Sequence, residues 1–395
     1  MSISPAKTVY MDHVATTAVA PAVLDTMLPY FSEAFGNPSS IYALAQLARR
    51  SIDEARQRCA KVLGARPSEI VFTSGGTESD NAAIMGSALA LRTSGNHIVT
   101  TAIEHHAILH AAEFLESWGF NVTYVKPEHN GIVSVDAIVA ALTPSTTVVS
   151  VMLANNEVGV IEPVSEIVKA VKVRAAEENR TIVVHTDAVQ GAGYLNLNVD
   201  KLGVDMLSLS AHKFGGPKGA GLLYIRRNTP FKPTQVGGAQ ERDRRAGTEN
   251  TPAIVGMGFA LEAAEDTRSG SVAKCMVLRD RLIAGISERV ENARLNGDLN
   301  HRLPNNVNFT FHSVEAESLL MGLDLAGIAA SSGSACTAAS LEPSHVLLAM
   351  GHSDADARST LRLTVGPENT EDEVDYVVTT IAELIPRLRK LAGRL

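Results

Sequence analysis

Only three of the 395 residues are cysteine, and no two of Cys59, Cys275 and Cys336 stand in CxxC spacing. A disulfide framework or a structural zinc knuckle is therefore excluded as the organising principle. Long apolar runs are missing as well. Thr147–Ala154 is among the longest and falls far short of the roughly 18 residues that a membrane span needs. The opening MSISPAKTVYMDH has no apolar segment of the signal-peptide kind, so a cytoplasmic protein is expected. Positive charge is not in excess: 35 Lys and Arg face 43 Asp and Glu, a net charge of −8. Such a balance supplies no global field for nucleic acid or an anionic membrane. Internal repeats and low-complexity linkers are also absent.

The composition is that of an ordinary globular chain, 45% hydrophobic and 20% charged. Its length suits roughly two to three structural units with a large core. Helical and strand patterns alternate over the first two-thirds. Ser39 or Ser40 is expected to cap a helix whose apolar face includes Ile52, Ala55, Cys59, Val62 and Leu63 and which ends at Gly64. Seven strand patterns follow: IVFT, HIVTTA, NVTYV, TVVSVML, TIVVHT, DMLSLS and GLLYI. Helical stretches separate most of them, which predicts crossover connections and a mostly parallel sheet, with an antiparallel member among the last two. The pattern changes after about residue 258. A helical stretch at 260–290, the strand-like NNVNFTF and an amphipathic C-terminus from Glu371 predict a smaller α+β unit. The expected division is 16–257 for a large domain, and 1–15 with 258–395 for a small one.

Chemistry concentrates at a few strand ends. In SLSAHKFGGPKG, Lys213 directly follows a buried strand, where a lysine is costly unless it is used; burial lowers an amine's pKa and readies it for Schiff-base formation. Taken alone, the same lysine suits a solvated loop. The GGPKG run lacks P-loop spacing. Upstream, HTDAVQ places Asp187 at the end of another strand, and strand ends host ligands in open α/β sheets. A lysine and a carboxylate so placed match pyridoxal phosphate, which needs a Schiff-base lysine and an acidic partner for its ring nitrogen. TSGGTE at 73–78 joins a strand to a helix N-terminus, where free amides and the dipole favour a phosphate. His105 in EHHAILH is available for stacking or acid–base work, and taken alone it also suits a surface or helix-capping histidine. Its neighbours His106 and His110 share a helix face, which makes a metal site the rival reading, although HExxH order is lacking and two ligands do not complete a site. Cys336, in SSGSACTAAS, lies in a run of small residues without periodicity and reads as a nucleophile on a loop, or as an incidental thiol in a turn. Cys59 and Cys275 fall in helical apolar patterns and read as packing residues.

Together these segments resemble the cysteine desulfurases, pyridoxal-phosphate enzymes of the class-V aminotransferase group. The resemblance runs through FGNPSSIY at 35–42, FTSGGTES at 72–79, AIEHHAIL at 102–109, LANNEVGVIEPV at 153–164, HTDAVQ, SLSAHKFGGPKG and GGAQERDRRAGTEN at 237–250. It ends with SSGSACTAASLEPSHVLLAMG at 331–351 and STLRLTVG, which is similar to the long-loop, iron–sulfur-assembly type. It implies a fold-type I α/β architecture with a seven-stranded, mostly parallel sheet, and a homodimer. It also implies roles. Lys213 carries the cofactor as a Schiff base and shuttles protons, and His105 stacks on the ring and assists acid–base steps. Asp187 pairs with the ring nitrogen and Gln190 with the ring oxygen. Gly76, Thr77, Ser210 and His212 take the phosphate, with Thr248 reaching across from a partner subunit. Asn156 lies against the cofactor and, with Asn37 and Arg362, holds the substrate carboxylate. Cys336 attacks the sulfur of L-cysteine and keeps it as a persulfide for an acceptor such as an iron–sulfur scaffold. No resident metal is implied, and Cys336 meets cluster iron only during hand-off. A selenocysteine lyase, another class-V enzyme or a non-catalytic scaffold are the alternative readings. The chain departs from the usual pattern at His13, Val14, Tyr42, Ala239, Ala246 and Pro367.

Overall fold

A computed structural model of the chain describes residues 8–332 and 342–393. In chain order it begins with β1 (Val9–Tyr10), α1 (Pro21–Met27), α2 (Pro29–Ser32), α3 (Ala43–Leu63), β2 (Ile70–Thr73) and α4 (Gly76–Ala90). Next come β3 (His97–Thr101), α5 (His106–Glu116), β4 (Asn121–Val125), α6 (Val135–Ala141), β5 (Thr146–Ser150) and α7 (Val164–Glu177). Then follow β6 (Val183–Asp187), α8 (Val199–Leu202), β7 (Met206–Ser210), β8 (Gly221–Ile225) and α9 (Thr251–Arg289). The remainder is β9 (Ala293–Leu295), β10 (Asn306–Phe311), α10 (Ala316–Leu325), β11 (Ile328–Ala329), α11 (His345–Ala349), α12 (Asp354–Arg358), β12 (Thr360–Thr364) and α13 (Glu371–Leu391).

The central sheet has seven strands in the order β2-β8-β7-β6-β5-β3-β4. β8 runs antiparallel to both of its neighbours and every other pairing is parallel. Six strands therefore point the same way, and the C-terminal ends of β2, β7, β6, β5 and β3 share one edge. Strands buried on both faces carry near-continuous Val, Ile and Leu, which is why they read as apolar runs rather than alternating ones. A second, antiparallel sheet, β12-β10-β9, lies over its own core with Phe309, Phe311, Leu361 and Leu363.

Two expectations are corrected. α3 starts at Ala43, with Tyr42 at its N-cap and no side-chain cap, not at Ser39 or Ser40. The serines belong instead to a turn in which Asn37 Oδ1 accepts the Ser39 amide. The helix expected from residue 260 begins nine residues earlier, at Thr251, and runs unbroken through 39 residues. Gly256 and Gly258 sit inside it because Met27 and Ala55 press against them; an added Cβ would stand 2.5 Å from Met27 Sδ and 2.8 Å from Ala55 Cα.

Candidate active site

The shared strand edge gathers several of the residues singled out in the sequence. β2 delivers Gly75 and Gly76 to the N-terminus of α4, and β7 ends at Ser210 before a short turn carries His212 and Lys213. Asp187 is the last residue of β6, and the chain after β3 presents Glu104 and His105. Asn156 follows β5. Residues 12–17 lie across these ends.

Lys213 Nζ donates to the carbonyls of Val14 at 2.7 Å and Ala15 at 2.8 Å. Gln190 Nε2 donates to the same Val14 carbonyl at 3.4 Å, and His212 Nδ1 lies 3.1 Å from Thr16 Oγ1. The departure at Val14 therefore leaves its backbone in use. His13 turns away: its ring meets Tyr10 edge-on at 4.9 Å and fills the space beside Gly366, where an added Cβ would be 2.3 Å from its Cε1.

Asp187 is buried, with Oδ1 accepting the Val189 amide at 2.9 Å. Burial holds its carboxyl above the usual range, while the Val189 amide and the Lys213 charge pull it back. Beneath it, His185 is enclosed between hydroxyls, Nδ1 2.9 Å from Ser150 Oγ and Nε2 2.9 Å from Ser208 Oγ, and burial pushes its pKa down to about 3. Asp80 Oδ1 lies 3.7 Å from His185 Nε2, and burial together with the Asp187 charge raises its pKa well above the ordinary value.

His105 caps α5, its Nδ1 accepting the Ala107 amide at 3.1 Å. Burial first, then the Lys213 charge, lowers its pKa to about 4. The ring is thus neutral near pH 7 with its proton on Nε2, a tautomer assigned from that bond. His106 packs against His110 and His345, with ring centroids 5.0 and 4.6 Å away. No group of three or more His, Cys, Asp or Glu among the described residues is arranged to hold a metal ion.

Arg362, 1% exposed on β12, donates from NH2 to Asp12 Oδ1 at 2.9 Å and from NH1 to the Asn156 carbonyl at 3.2 Å. Its own backbone pairs with Ser331, amide to carbonyl at 2.7 Å and the reverse at 3.3 Å. Ser331 leads into the segment bearing Cys336, and Cys336 itself lies outside the described residues. Beyond that segment Ser344 Oγ donates to Glu157 Oε2 at 2.5 Å, and His345 Nε2 donates to the Glu104 carbonyl at 2.9 Å. Both flanks of the cysteine segment are thus tied to the neighbourhood of Arg362 and His105. Asn37 is exposed and bonded within its own turn, and no described contact joins it to Arg362. Thr77 and Thr248 are exposed. The Thr248 segment is tied to α4 by Arg245 Nε, which donates to Glu78 Oε1 at 2.8 Å.

The family model described as Aminotransferase class-V matches residues 9–377. A cysteine desulfurase IscS of Clostridium botulinum is 49% identical over 388 residues, covering 98% of this chain and 96% of the relative. The Methanosarcina thermophila cysteine desulfurase IscS is also 49% identical, over 98% of this chain and 94% of its own. The chain belongs to the cysteine desulfurase group of the class-V aminotransferases. Among solved structures, a NifS-like protein matches with a TM-score of 0.90 at 38% identity, covering 96% of this chain and all of that one. The structure of SspA in complex with cysteine matches at 0.80 and 38%, over 92% of this chain.

Pyridoxal phosphate is the cofactor of this family, and the residues present fit it. A lysine amine, a buried carboxylate at a strand end and a neutral imidazole converge on one edge. At the phosphate end, Gly76 leaves room that a side chain would fill, since an added Cβ would stand 2.9 Å from Val189 Cγ2 and 3.5 Å from Ser210 Cβ. The first amides of the 15-residue α4 open there beside the Ser210 side chain. Asp12, Glu157 and the Val14 and Ala15 carbonyls were not singled out by sequence reasoning. No local signal marks them: Asp12 stands 350 residues from the arginine it pairs with.

Proposed function

We propose that this enzyme converts L-cysteine to L-alanine and passes the sulfur, held as a persulfide on Cys336, to an acceptor thiol on a partner protein, in the service of iron–sulfur cluster assembly. The carrying observation is the convergence of Lys213, Asp187 and His105 on one sheet edge, with Arg362 bonded to the residue that opens the Cys336 segment. An aminotransferase has no use for that cysteine, which favours desulfuration over the other class-V reactions.

Bound pyridoxal phosphate supplies an electron sink next to the substrate's α-carbon. Asp187 would hold the cationic ring nitrogen, a partner that a carboxylate raised above its usual range by burial would gain from. Gln190, on the same turn, would hydrogen-bond the ring oxygen. Gly76, Thr77, Ser210 and His212 take the phosphate, with Thr248 of a second copy, which makes the working unit a homodimer. Arg362 and Asn156, assisted by Asn37, hold the substrate carboxylate, for which an arginine fork is suited. Lys213, released from the Val14 and Ala15 carbonyls, moves protons at Nζ. His105, neutral with a proton on Nε2, donates at that atom. The Cys336 thiolate attacks the substrate sulfur and forms the S–S bond. The C–S electron pair stays with carbon, which is then protonated, so one cysteine and one thiol yield alanine and one persulfide.

The division into a large unit of 16–257 and a small one of 1–15 with 258–395 belongs to the same proposal, as does a place in the cytoplasm; no helix of the described residues is long and apolar enough to cross a membrane. Incubation of the purified holoenzyme with L-cysteine tests the reaction. Alanine is expected with wild type and lost in Lys213→Ala and Cys336→Ala, with one added sulfur on wild type by intact mass. Persulfide on Cys59 or Cys275 instead, or alanine formation that survives Cys336→Ala, overturns it.

A further inference from the structure

Asp12 and Arg362 are mounted on the same backbone pairing. Asp12 bridges Thr364 of β12 in parallel, the Thr364 amide donates to the Met11 carbonyl at 2.7 Å, and Arg362 lies two residues away on the same face of that strand. Successive strand residues alternate faces, so this spacing points the Thr364 and Arg362 side chains the same way. Thr364 Oγ1 in turn accepts the Val14 amide at 3.1 Å. The turn that follows is braced by Tyr10, whose hydroxyl donates to the Asp12 carbonyl at 3.1 Å and to the Thr16 carbonyl at 2.8 Å. Asp12 is therefore a fixed carboxylate, 19% exposed, with Oδ1 2.9 Å from Arg362 NH2. The Asn156 carbonyl holds NH1. Two residues on from Asp12, the same turn offers the Val14 carbonyl to Lys213.

We infer that Asp12 is a positioning residue for the amino-acid substrate: it locks the Arg362 guanidinium in one plane, at a set distance from Lys213, so that the substrate carboxylate meets an arginine already ordered. This rests on the reading that Arg362 takes the carboxylate. An arginine stem carries large rotamer freedom, and a fork held at one edge by Asp12 and at another by a backbone carbonyl has lost it before the substrate arrives. Asp12 acts through Arg362 and touches no reacting atom. Its loss therefore weakens binding and leaves the chemical step largely alone. The braced turn also explains how the carboxylate site and the lysine keep a constant spacing: one short stretch, Asp12 to Ala15, is bonded to both.

The test is a double-mutant cycle on the holoenzyme, with KM and kcat for L-cysteine and, separately, the calorimetric affinity for the product L-alanine. Asp12→Ala is expected to raise KM and weaken alanine binding about tenfold, with kcat within about threefold of wild type. Asp12→Asn, which still accepts from NH2, restores most of that loss. In an Arg362→Ala background, which already binds poorly, Asp12→Ala adds nothing. Additive effects would mean that Asp12 works independently of Arg362, and a fall in KM would mean that it competes with the substrate for the guanidinium; either overturns the inference. Unchanged KM in Asp12→Ala with a raised KM in Arg362→Ala also overturns it, while leaving the Arg362 reading intact. Unchanged KM in Arg362→Ala removes that reading and the inference with it. Where Asp12→Ala does not accumulate as folded protein, Asp12→Ser takes its place, its hydroxyl being too short to span the gap.

Discussion

Arg56 and Glu241 form a two-pronged ion pair, NH1 to Oε2 and NH2 to Oε1, each at 2.7 Å, with side chains only 3% and 2% exposed. The pair ties α3 to the loop that leads to Thr248. Glu241 Oε2 also accepts the Phe72 amide of β2 at 3.0 Å, and Arg56 NH1 donates to the Ile70 carbonyl at 2.8 Å. Glu241, Arg242 and Asp243 all have left-handed backbone, with φ of 47, 58 and 60°, a conformation that costs non-glycine residues energy and persists only when held from outside. Removing one partner leaves a buried charge unpaired. Glu241→Ala and Arg56→Ala should each lower unfolding stability by about 3–5 kcal/mol, and the double variant should lose little more. Denaturant titration of the three variants measures this.

The two described thiols differ sharply from what a sulfur carrier needs. Burial pushes Cys59 up to about 12 and Cys275 up to about 11, in two separate cores. Because the thiolate is the reactive form, brief iodoacetamide treatment of native enzyme near pH 7.5 should alkylate Cys336 alone. Peptide mass mapping shows the sites; alkylation of Cys59 or Cys275 in folded protein contradicts the assignment.

His105 is already deprotonated well below neutral pH, so its titration should impose no limb on kcat between pH 5.5 and 7. His105→Gln should cost about 10²- to 10⁴-fold in kcat, the usual range for one acid–base group, and retain the cofactor absorbance. A pH–rate profile with an acidic limb near the ordinary histidine value would rule out a neutral ring in the working enzyme.

Glu162 gives a stability signal of definite sign. Its Oε2 accepts the Val133 amide at 2.7 Å, and burial pushes the carboxyl up to about 8. Between its unfolded value near 4.5 and about 8, the folded state holds more protons than the unfolded one. Its contribution is therefore complete below that window and is lost as pH rises through it. Glu162→Gln removes the proton, so its stability should fall less than wild type's from pH 6 to pH 9. Thermal melts across that range measure the difference; parallel curves for the two proteins would count against it.

The strand runs, the Gly64 helix end and the residues at the strand ends were legible because each is a local signal: apolar content, a left-handed glycine, a polar residue directly after a buried strand. What was illegible came from distant partners. Ser39 and Ser40 look like caps until Asn37 claims the turn. The first turns of α9 went unread because Gly256 and Gly258 carry no helical signal of their own, and their place is set by Met27 and Ala55 pressing close to that face. Asp12 is one carboxylate among many until the fold brings Arg362 beside it. Pairings of that kind have no period and no spacing to read.

α9 is a rod, roughly 58 Å long at 1.5 Å per residue. Its first turns, through Ile254, Met257 and Leu261, are sunk in the core of the large sheet. Its last, through Cys275, Leu278, Leu282 and Ile286, are sunk in the core of the small one. A slack hinge is therefore excluded at that crossing. Any shift of one core against the other must therefore bend this continuous helix rather than turn about a loose link.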